Sequence, residues 1–224
     1  MLGIICAMPC EAAPIEKLFA EKEEKVFAKR KFVKGKLLGK DVVLCVCGVG
    51  KVNAAAGTVL LKEKYDVKVV LNVGVVGAIN PSLSLFDVCV GESAMQYDFD
   101  ISGTNDLKRG QLEGFDDCHI ALEQKYVGAL EKIGLKRVKI ATTDTFRFDE
   151  EVYRFALSCN LDVEDMEAGA IAHICSDFGI PFVSVKSISN MVKKGGEEQY
   201  TDCCDRAIDS YMKKFEKIAE TIYG

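Results

Sequence analysis

Short apolar runs alternate with helix-like segments along most of the chain, and this alternation constrains the fold more than any other feature. Apolar runs that predict strands lie at 2–7, 41–47, 67–73, 87–92, 137–142, 162–165 and 181–187. Segments that predict helices lie at 10–21, 51–65, 119–133, 149–157, 167–178 and about 200–222. Apolar strands separated by helices form largely parallel sheets with helices on both faces. The sequence therefore predicts an α/β fold.

A hairpin is predicted early in the chain, between residues 25–34 and 36–39, with its turn at Gly35. No low-complexity linker, charge block or repeat interrupts the 224 residues. We therefore expect a single domain that spans residues 1–224.

The charge and the cysteine content argue against several classes of function. With a formal net charge of −5, the chain would repel a polyanion, so we expect no nucleic-acid partner. No apolar run is long enough to cross a membrane, so no membrane partner is expected. The ten cysteines form no C-x-x-C pair, and no signal-peptide pattern precedes the first strand. We expect free thiols in a reducing cytoplasm, with neither a metal nor another cofactor.

Glycine and polar residues directly follow four of the predicted strands. These segments are Gly48-Val49-Gly50, residues 72–77, residues 142–146 and Ser187-Ile188-Ser189-Asn190. In parallel α/β sheets, ligands bind at the carboxyl ends of the strands, so these segments mark the candidate site. The glycines at 48–50 and 74–77 predict tight strand-to-helix turns. Neither segment has the spacing of a Walker A loop or of a dinucleotide-binding motif.

Three carboxylates are candidates for chemistry. Glu11 follows the first strand and could act as an acid or a base, or could only favour the dipole at the start of a helix. Asp165 and Glu167 flank Met166 at a strand–helix junction. Helix capping explains one of these two carboxylates but not both, so we predict a functional role here. The two histidines form no recognisable Ser-His-Asp arrangement.

A series of short motifs runs through the whole chain in a specific order. The motifs are Gly3–Met8 with Glu11, residues 48–55 (GVGKVNAA), Asn72-Val73-Gly74 with Gly77, Gly110-Gln111-Leu112, Asp144-Thr145-Phe146, residues 166–173 (MEAGAIAH), and 181–183 leading to Ser187-Ile188-Ser189. Their order and spacing resemble those of the methylthioadenosine/S-adenosylhomocysteine nucleosidases of the nucleoside phosphorylase superfamily. The resemblance implies a three-layer α/β/α fold with a central, largely parallel mixed sheet, and usually a homodimer. It also implies hydrolysis of the N-glycosidic bond of a purine nucleoside.

The same resemblance implies roles for individual residues. Glu11 matches the carboxylate that activates the attacking water, and Glu167 matches the residue that holds the ribose hydroxyls. Phe146 matches the aromatic side chain that stacks on the purine, and Arg147 falls where backbone groups meet the base edge. The other candidate binding positions are Met8, Val49, Val75, Val76, Gly77, Asp165, Met166, Ser189 and Tyr200. Among these, Met166 matches the residue beneath the sugar.

Two positions depart from the family pattern. Asn190 stands where the family has its general-acid aspartate, and Val75 stands where it has the serine that holds that aspartate. An amide cannot deliver a proton as a carboxylic acid does, but its NH2 can donate to O6 or N7 of a 6-oxopurine. We therefore expect Asn190 to assist departure of the base as a hydrogen-bond donor and to shift the preference towards 6-oxopurine nucleosides.

Three functions are compatible with these residues. The first is hydrolysis of a methylthioadenosine-like nucleoside or of a 6-oxopurine nucleoside. The second is phosphorolysis, for which this superfamily places arginines in the early and glycine-rich loops. Here those loops hold only Lys51, which favours hydrolysis. The third is nucleoside binding without catalysis, against which Glu11, Met166 and Glu167 argue.

An irregular apolar segment at residues 86–117 predicts a subunit interface, since a monomer rarely exposes that much apolar surface. Its apolar side chains are Phe86, Met95, Tyr97, Phe99, Ile101, Leu107, Leu112 and Phe115. The alternative is a loop that folds onto its own domain.

Overall fold

The computed structural model describes residues 1–103, 106–193 and 195–223. Its strands are β1 (Leu2–Cys6), β2 (Ala20–Phe27), β3 (Arg30–Leu37), β4 (Lys40–Val46), β5 (Val69–Ala78), β6 (Val88–Gln96), β7 (Ile120–Ala121), β8 (Lys136–Thr142), β9 (Val163–Asp165) and β10 (Phe182–Met191). Its helices are α1 (Pro9–Glu16), α2 (Lys51–Tyr65), α3 (Gln124–Lys132), α4 (Glu150–Ser158), α5 (Ala168–Asp177) and α6 (Gly196–Tyr223).

The sheet is mixed and is organised around parallel strands. Strand β1 pairs in parallel with β4 on one side and with β5 on the other, and β5 pairs in parallel with β10. The pairings β10–β6, β6–β8, β8–β9 and β9–β5 then close five strands into a ring. The carboxyl ends of β1, β5 and β10 consequently lie side by side.

Helices cover the sheet on both faces. One apolar core joins the sheet to α1, α3 and α6 through side chains such as Ile15, Leu130 and Phe215. The core on the opposite face joins it to α2 and α5, with Leu61 and Ile171 among its members. This arrangement confirms the three-layer α/β/α fold. Within the described residues, no helix is both long and apolar enough to span a membrane.

The prediction of a turn at Gly35 is wrong. Gly35 lies inside β3, which forms one hairpin with β2 through Ala28-Lys29 and another with β4 through Leu38-Gly39. All four turn residues have positive φ, as the favoured two-residue hairpin turns require. The first turn carries neither the glycine nor the asparagine that usually marks one. At Gly35 a side chain has no room, since a Cβ would lie 2.8 Å from the carbonyl oxygen of Ala20.

Two predicted helices are shorter than expected. The helix predicted at 10–21 ends at Glu16, and the chain enters β2 at Ala20. The helix predicted at 119–133 begins only at Gln124, after the short strand β7. In both places strand pairing overrides the local helical pattern, since β2 pairs with the next strand β3 in a hairpin and β7 pairs with β6.

Strands β5 and β10 continue further than predicted. Residues 72–77 and 187–190 lie within them, so Gly74 to Gly77 is not a strand-to-helix turn. The pairing of β5 with β10 runs to Ala78 and Met191, and β9 adds a partner at the same end. By contrast, Gly48-Val49-Gly50 does lead into a helix, with positive φ at both glycines, as predicted.

The apolar segment at 86–117 packs on its own domain. Met95, Tyr97 and Leu112 are buried, and the other apolar side chains named above for this segment are half-buried. The described part of the segment thus contributes to the core of its own domain and keeps some apolar surface accessible, and its role in a subunit interface stays a prediction.

Candidate active site

A cavity of about 310 Å³ opens at the carboxyl ends of β1, β5 and β10. Its lining residues are Ala7, Met8, Glu11, Val49, Val75, Val76, Gly77, Phe146, Glu164, Asp165, Met166, Glu167, Ser189, Asn190 and Tyr200. The structure thus brings together every predicted site residue except Arg147. It adds Ala7 and Glu164, which the sequence analysis did not identify.

Two backbone donors from different elements hold the carboxylate of Glu11. The N–H of Met8 donates to Oε2 at 2.9 Å, and the N–H of Val75 donates to Oε1 at 3.0 Å. Burial raises the pKa of Glu11, although Lys186 and these N–H groups oppose the shift. A Cβ on Gly74 would lie 2.6 Å from Oε1, so glycine is needed for the carboxylate to approach β5. A fixed, buried carboxylate with a raised pKa suits a general base.

The two carboxylates at the start of α5 have different surroundings. Asp165 accepts from the backbone N–H of Ala168 at 3.0 Å and from the hydroxyl of Thr142 at 2.7 Å. It therefore caps α5 and is committed to the fold. Glu167 accepts from the backbone N–H of Gly50 at 3.0 Å and lines the cavity. Burial raises the pKa of Glu167 to about 7, and the charge of Asp165 adds to the effect.

Lys186, on β10, is the cation that compensates these carboxylates. Its Nζ lies 2.8 Å from Asp165 Oδ2, and the two side chains are 2% and 1% exposed. Burial lowers the pKa of Lys186, but the charges of Asp165 and Glu167 outweigh burial and keep the pKa above its ordinary value. The same ammonium partly offsets the rise that burial causes in the pKa of Glu11. Sequence reasoning missed Lys186, although a lone lysine in a strand of apolar and small polar residues signals a buried partner.

The amide of Asn190 is anchored on one side. The hydroxyl of Ser189 lies 2.9 Å from Asn190 Oδ1 and 3.2 Å from the carbonyl oxygen of Val76, and its one hydrogen favours the shorter contact. This leaves Nδ2 of Asn190 as the donor towards the cavity. Val75, where the family resemblance expects a serine, supplies no hydroxyl to this amide. No atom of Asn190 carries a proton acidic enough to transfer to a leaving base.

Aromatic side chains form one wall of the cavity. The rings of Phe146 and Tyr200 lie 5.3 Å apart at an angle of 68°, and Phe146 is 49% exposed. Tyr200 also contacts Met8, with 3.3 Å between its hydroxyl and Sδ. Arg147 does not line this cavity. Its exposed side chain lies in an adjoining cleft, where the guanidinium keeps contact with water.

Glu164, on β9, is the second side chain that sequence reasoning missed. The hydroxyl of Tyr97 donates to its Oε2, and burial raises the pKa of Glu164 to about 7. A single glutamate in a strand of three residues gives no sequence signal of function. Only the pairing of β9 with β5 brings it to the cavity.

Comparison of the sequence and comparison of the fold relate the chain to the same group of proteins. The chain matches the phosphorylase superfamily over residues 1–223. It is similar to the 5′-methylthioadenosine/S-adenosylhomocysteine nucleosidase of Marinomonas sp. (strain MWYL1), with 34% identity over 211 residues that cover 90% of each chain. The nucleosidase of the same name from Bacillus thuringiensis subsp. konkukian is 32% identical over 215 residues, or 92% of each chain. The crystal structure of such a nucleosidase from Colwellia psychrerythraea 34H in complex with adenine has a TM-score of 0.91 at 27% identity, covering 98% of this chain and 94% of that chain.

Replacing Lys186 with methionine should destabilise the fold strongly. The change removes the only cation paired with Asp165 among the described residues and leaves buried carboxylates uncompensated. The free energy of unfolding, measured in urea at pH 8, should fall by about 3–5 kcal/mol. Because Lys186 lowers the pKa of Glu167, the variant should have a still higher pKa for this group. The loss should therefore grow as the pH rises above about 7, where the folded unmodified protein releases the proton of Glu167 and the folded variant still holds it.

Lys25→Met is the matched control. Lys25 pairs with Glu23 at 2.8 Å on the surface, where the two side chains are 50% and 58% exposed. Solvent screens such a pair, so its loss should change the free energy of unfolding little. Equal losses in the two variants would show that Lys186 does not compensate the buried carboxylates.

Proposed function

Because the chain belongs to the methylthioadenosine/S-adenosylhomocysteine nucleosidase family of the phosphorylase superfamily, we propose that it is a purine nucleosidase. Such an enzyme hydrolyses the N-glycosidic bond between a purine and its sugar. The observation that carries the proposal is the pair of buried carboxyl groups, Glu11 and Glu167, on one cavity. Glycoside hydrolysis uses carboxylates in this way, through a transition state that resembles an oxocarbenium ion.

Glu11 is the proposed general base. Its carboxylate takes a proton from the water that attacks C1′ of the sugar. Two backbone N–H groups hold both carboxylate oxygens in place, so little orientation entropy is lost on the way to the transition state. The raised pKa makes the ionised group a stronger base than an exposed glutamate.

Glu167 and Met166 are the proposed sugar-binding residues. The carboxylate of Glu167 accepts hydrogen bonds from the ribose hydroxyls and favours the positive charge that develops on the sugar. Met166 supplies an apolar surface beneath the ring. Met8, Val49 and Tyr200 bound the space for the sugar and its 5′-substituent, and Phe146 stacks on the base.

The electrostatics of the cavity favour water over phosphate as the nucleophile. Among the described residues that line the cavity, none is basic. Lys51, at the start of α2, pairs with Asp98 at 2.7 Å, and Lys186 is committed to Asp165. A phosphate dianion would therefore meet the negative charge of Glu11 without a compensating cation.

A 6-oxopurine nucleoside is the proposed preferred substrate, because of Asn190. Its Nδ2 donates to O6 or N7 of the base and stabilises the negative charge on the departing purine. Adenine depends more on a true acid at N7, which an amide cannot provide. Adenine nucleosides such as methylthioadenosine are the alternative, favoured by the adenine bound to the Colwellia relative.

We further propose a cytoplasmic homodimer. Apolar side chains near the cavity add to the half-buried ones of the segment at 86–117: Val49 is 45% exposed, and Val52, in the first turn of α2, is 79% exposed. A second subunit would cover them. The ten cysteines carry free thiols, which supports a reducing compartment.

Glu11→Gln should lower kcat by about 10²–10⁴-fold, because an amide cannot accept the proton of the attacking water. Nucleoside affinity, measured by calorimetry, should change little. The assay follows release of free base from inosine, adenosine and methylthioadenosine, with and without phosphate. Glu16→Gln is the control, since Glu16 lies on the same helix, pairs with Lys31 and does not line the cavity. Base release that requires phosphate and yields ribose 1-phosphate would refute hydrolysis.

Asn190→Asp combined with Val75→Ser should move the base preference towards adenine nucleosides. The pair of changes supplies an acid and a hydroxyl to orient it. The ratio of kcat/KM for adenosine to that for inosine should rise about ten- to a hundredfold. Asn190→Ala, which removes the amide without adding an acid, should slow both reactions. An unmodified protein that cleaves methylthioadenosine at least as well as inosine-type nucleosides would contradict the 6-oxopurine preference.

Light scattering at micromolar concentration should give twice the 24.6 kDa mass of the chain. Val52→Glu should shift the mass towards the monomer, because burying an unpaired carboxylate at an interface is costly. Val26→Glu is the control, on the 63% exposed Val26 of β2, and should leave the mass unchanged. A monomeric unmodified protein would rule out the dimer.

A further inference from the structure

Three residues on neighbouring strands form a row at one end of the cavity. Gly77 of β5 pairs with Glu164 of β9 on one side and with Asn190 of β10 on the other. Neighbouring strands lie about 4.8 Å apart, so the Cα atoms of Glu164 and Asn190 are roughly 10 Å apart. Both side chains line the cavity. Two polar side chains therefore flank a position that has no side chain of its own.

The gap at Gly77 is required by its neighbours. A Cβ there would lie 3.1 Å from Asn190 Nδ2 and 2.8 Å from a methyl carbon of Val192. Glycine therefore lets Val192 and the amide of Asn190 pack directly against the strand at this point. The edge of a flat ligand would lie in the cavity that Asn190 and Glu164 both line.

Glu164 has a carboxylate oxygen available to a ligand in this cavity. The hydroxyl of Tyr97 occupies Oε2, and among the described residues no donor is recorded for Oε1. None of the described basic side chains forms an ion pair with this carboxylate, that is, has a nitrogen within about 4 Å of it. A carboxylate oxygen left without a protein partner at a cavity needs a donor from solvent or from a ligand.

The two side chains match the edge of a 6-oxopurine. Asn190 Nδ2 donates to O6 or N7, because Oδ1 already accepts from Ser189. The next atom along the ring, N1, carries a hydrogen in hypoxanthine and guanine, and a carboxylate oxygen can accept it. Adenine offers an unprotonated N1, whose lone pair would face the lone pairs of the carboxylate.

We propose that Glu164 is a specificity-determining residue that accepts a hydrogen bond from N1–H of a 6-oxopurine base while Asn190 donates to O6 or N7. This inference rests on the proposed nucleosidase function and names a second residue for its base selection. Phe146 and Glu164 border the same cleft as Asn190, so stacking and edge recognition act at one end of the cavity. For guanine, the 2-amino group supplies a further donor on the same side as N1–H.

Glu164→Gln tests this assignment with little structural change. Glutamine keeps the side-chain length and can still accept from Tyr97. Its amide can donate to N1 of adenine, which the carboxylate cannot. Binding of free hypoxanthine and free adenine is measured by calorimetry at pH 8, above the raised pKa of Glu164. The unmodified protein should bind hypoxanthine more tightly, and the variant should change the ratio of the two dissociation constants about ten- to a hundredfold in favour of adenine.

A second variant and a second ligand separate recognition of N1–H from a general effect on the fold. The unmodified protein should bind 1-methylhypoxanthine, which lacks N1–H, at least about tenfold more weakly than hypoxanthine. In Glu164→Ala, which removes the acceptor and makes room for the methyl group, this difference should largely disappear. Glu131→Gln is the charge control. It lies in an exposed pair with Arg137, remote from the cavity, and should leave all three affinities unchanged.

The binding assay and the hydrolysis assay can fail independently. Nucleoside hydrolysis together with an unchanged base ratio in Glu164→Gln would overturn the role of Glu164 and leave the nucleosidase proposal intact. A base ratio that depends on Glu164 in a protein that cleaves no nucleoside would support the role and refute the nucleosidase proposal. Tighter binding of adenine than of hypoxanthine by the unmodified protein would overturn the role directly.

Discussion

The ammonium of Lys186 and the carboxylate of Asp165 meet 2.8 Å apart in the interior, and much of the site depends on this contact. Burying one charge without the other would cost several kcal/mol, so the pair fixes β10 against β9. The same carboxylate accepts from Thr142 at the end of β8 and from Ala168 at the start of α5. One ion pair therefore sets the direction in which α5 leaves the sheet. Glu167, immediately before that helix, is placed against the cavity as a result.

The ion pair also sets the acidity of the site. Glu11, Asp165 and Glu167 are all buried, with Lys186 as the cation that acts on each of them. A single ammonium cannot compensate three desolvated carboxylates, so the excess is expressed as raised pKa values for Glu11 and Glu167. A raised pKa makes the ionised carboxylate of Glu11 a stronger base than an exposed glutamate. Burial of these carboxylates therefore costs electrostatic free energy and, for the same reason, raises the pKa values of Glu11 and Glu167.

Glycines allow polar groups to approach the sheet closely. At Gly74 the missing side chain leaves room for the Glu11 carboxylate, and at Gly77 it leaves room beside Asn190. Strand pairing rather than a loop holds both positions, so the polar groups around them are rigid. In the proposed nucleosidase, Glu11 and Glu167 would act at the sugar while Asn190 and Glu164 act at the base. An amide in place of an acid would favour donation of hydrogen bonds to the base over transfer of a proton to it.

The sequence by itself determined the layered α/β fold, the bounds of α2, and the identity of Glu11, Asn190 and Glu167 as candidates, because periodicity and motif order are properties of neighbouring residues. Tertiary structure decided the rest. The helix predicted at 10–21 ended at Glu16 because the residues that follow pair with β3 in a hairpin. Strand β5 ran past Val73 because the distant strand β10 supplied its hydrogen-bonding partner. The positions of Lys186 and Glu164 in the site follow only from the fold, which places them beside Asp165 and Gly77 respectively. Charge compensation and hydrogen bonding act over a few ångströms in space, and the sequence does not state which distant residues folding will bring that close.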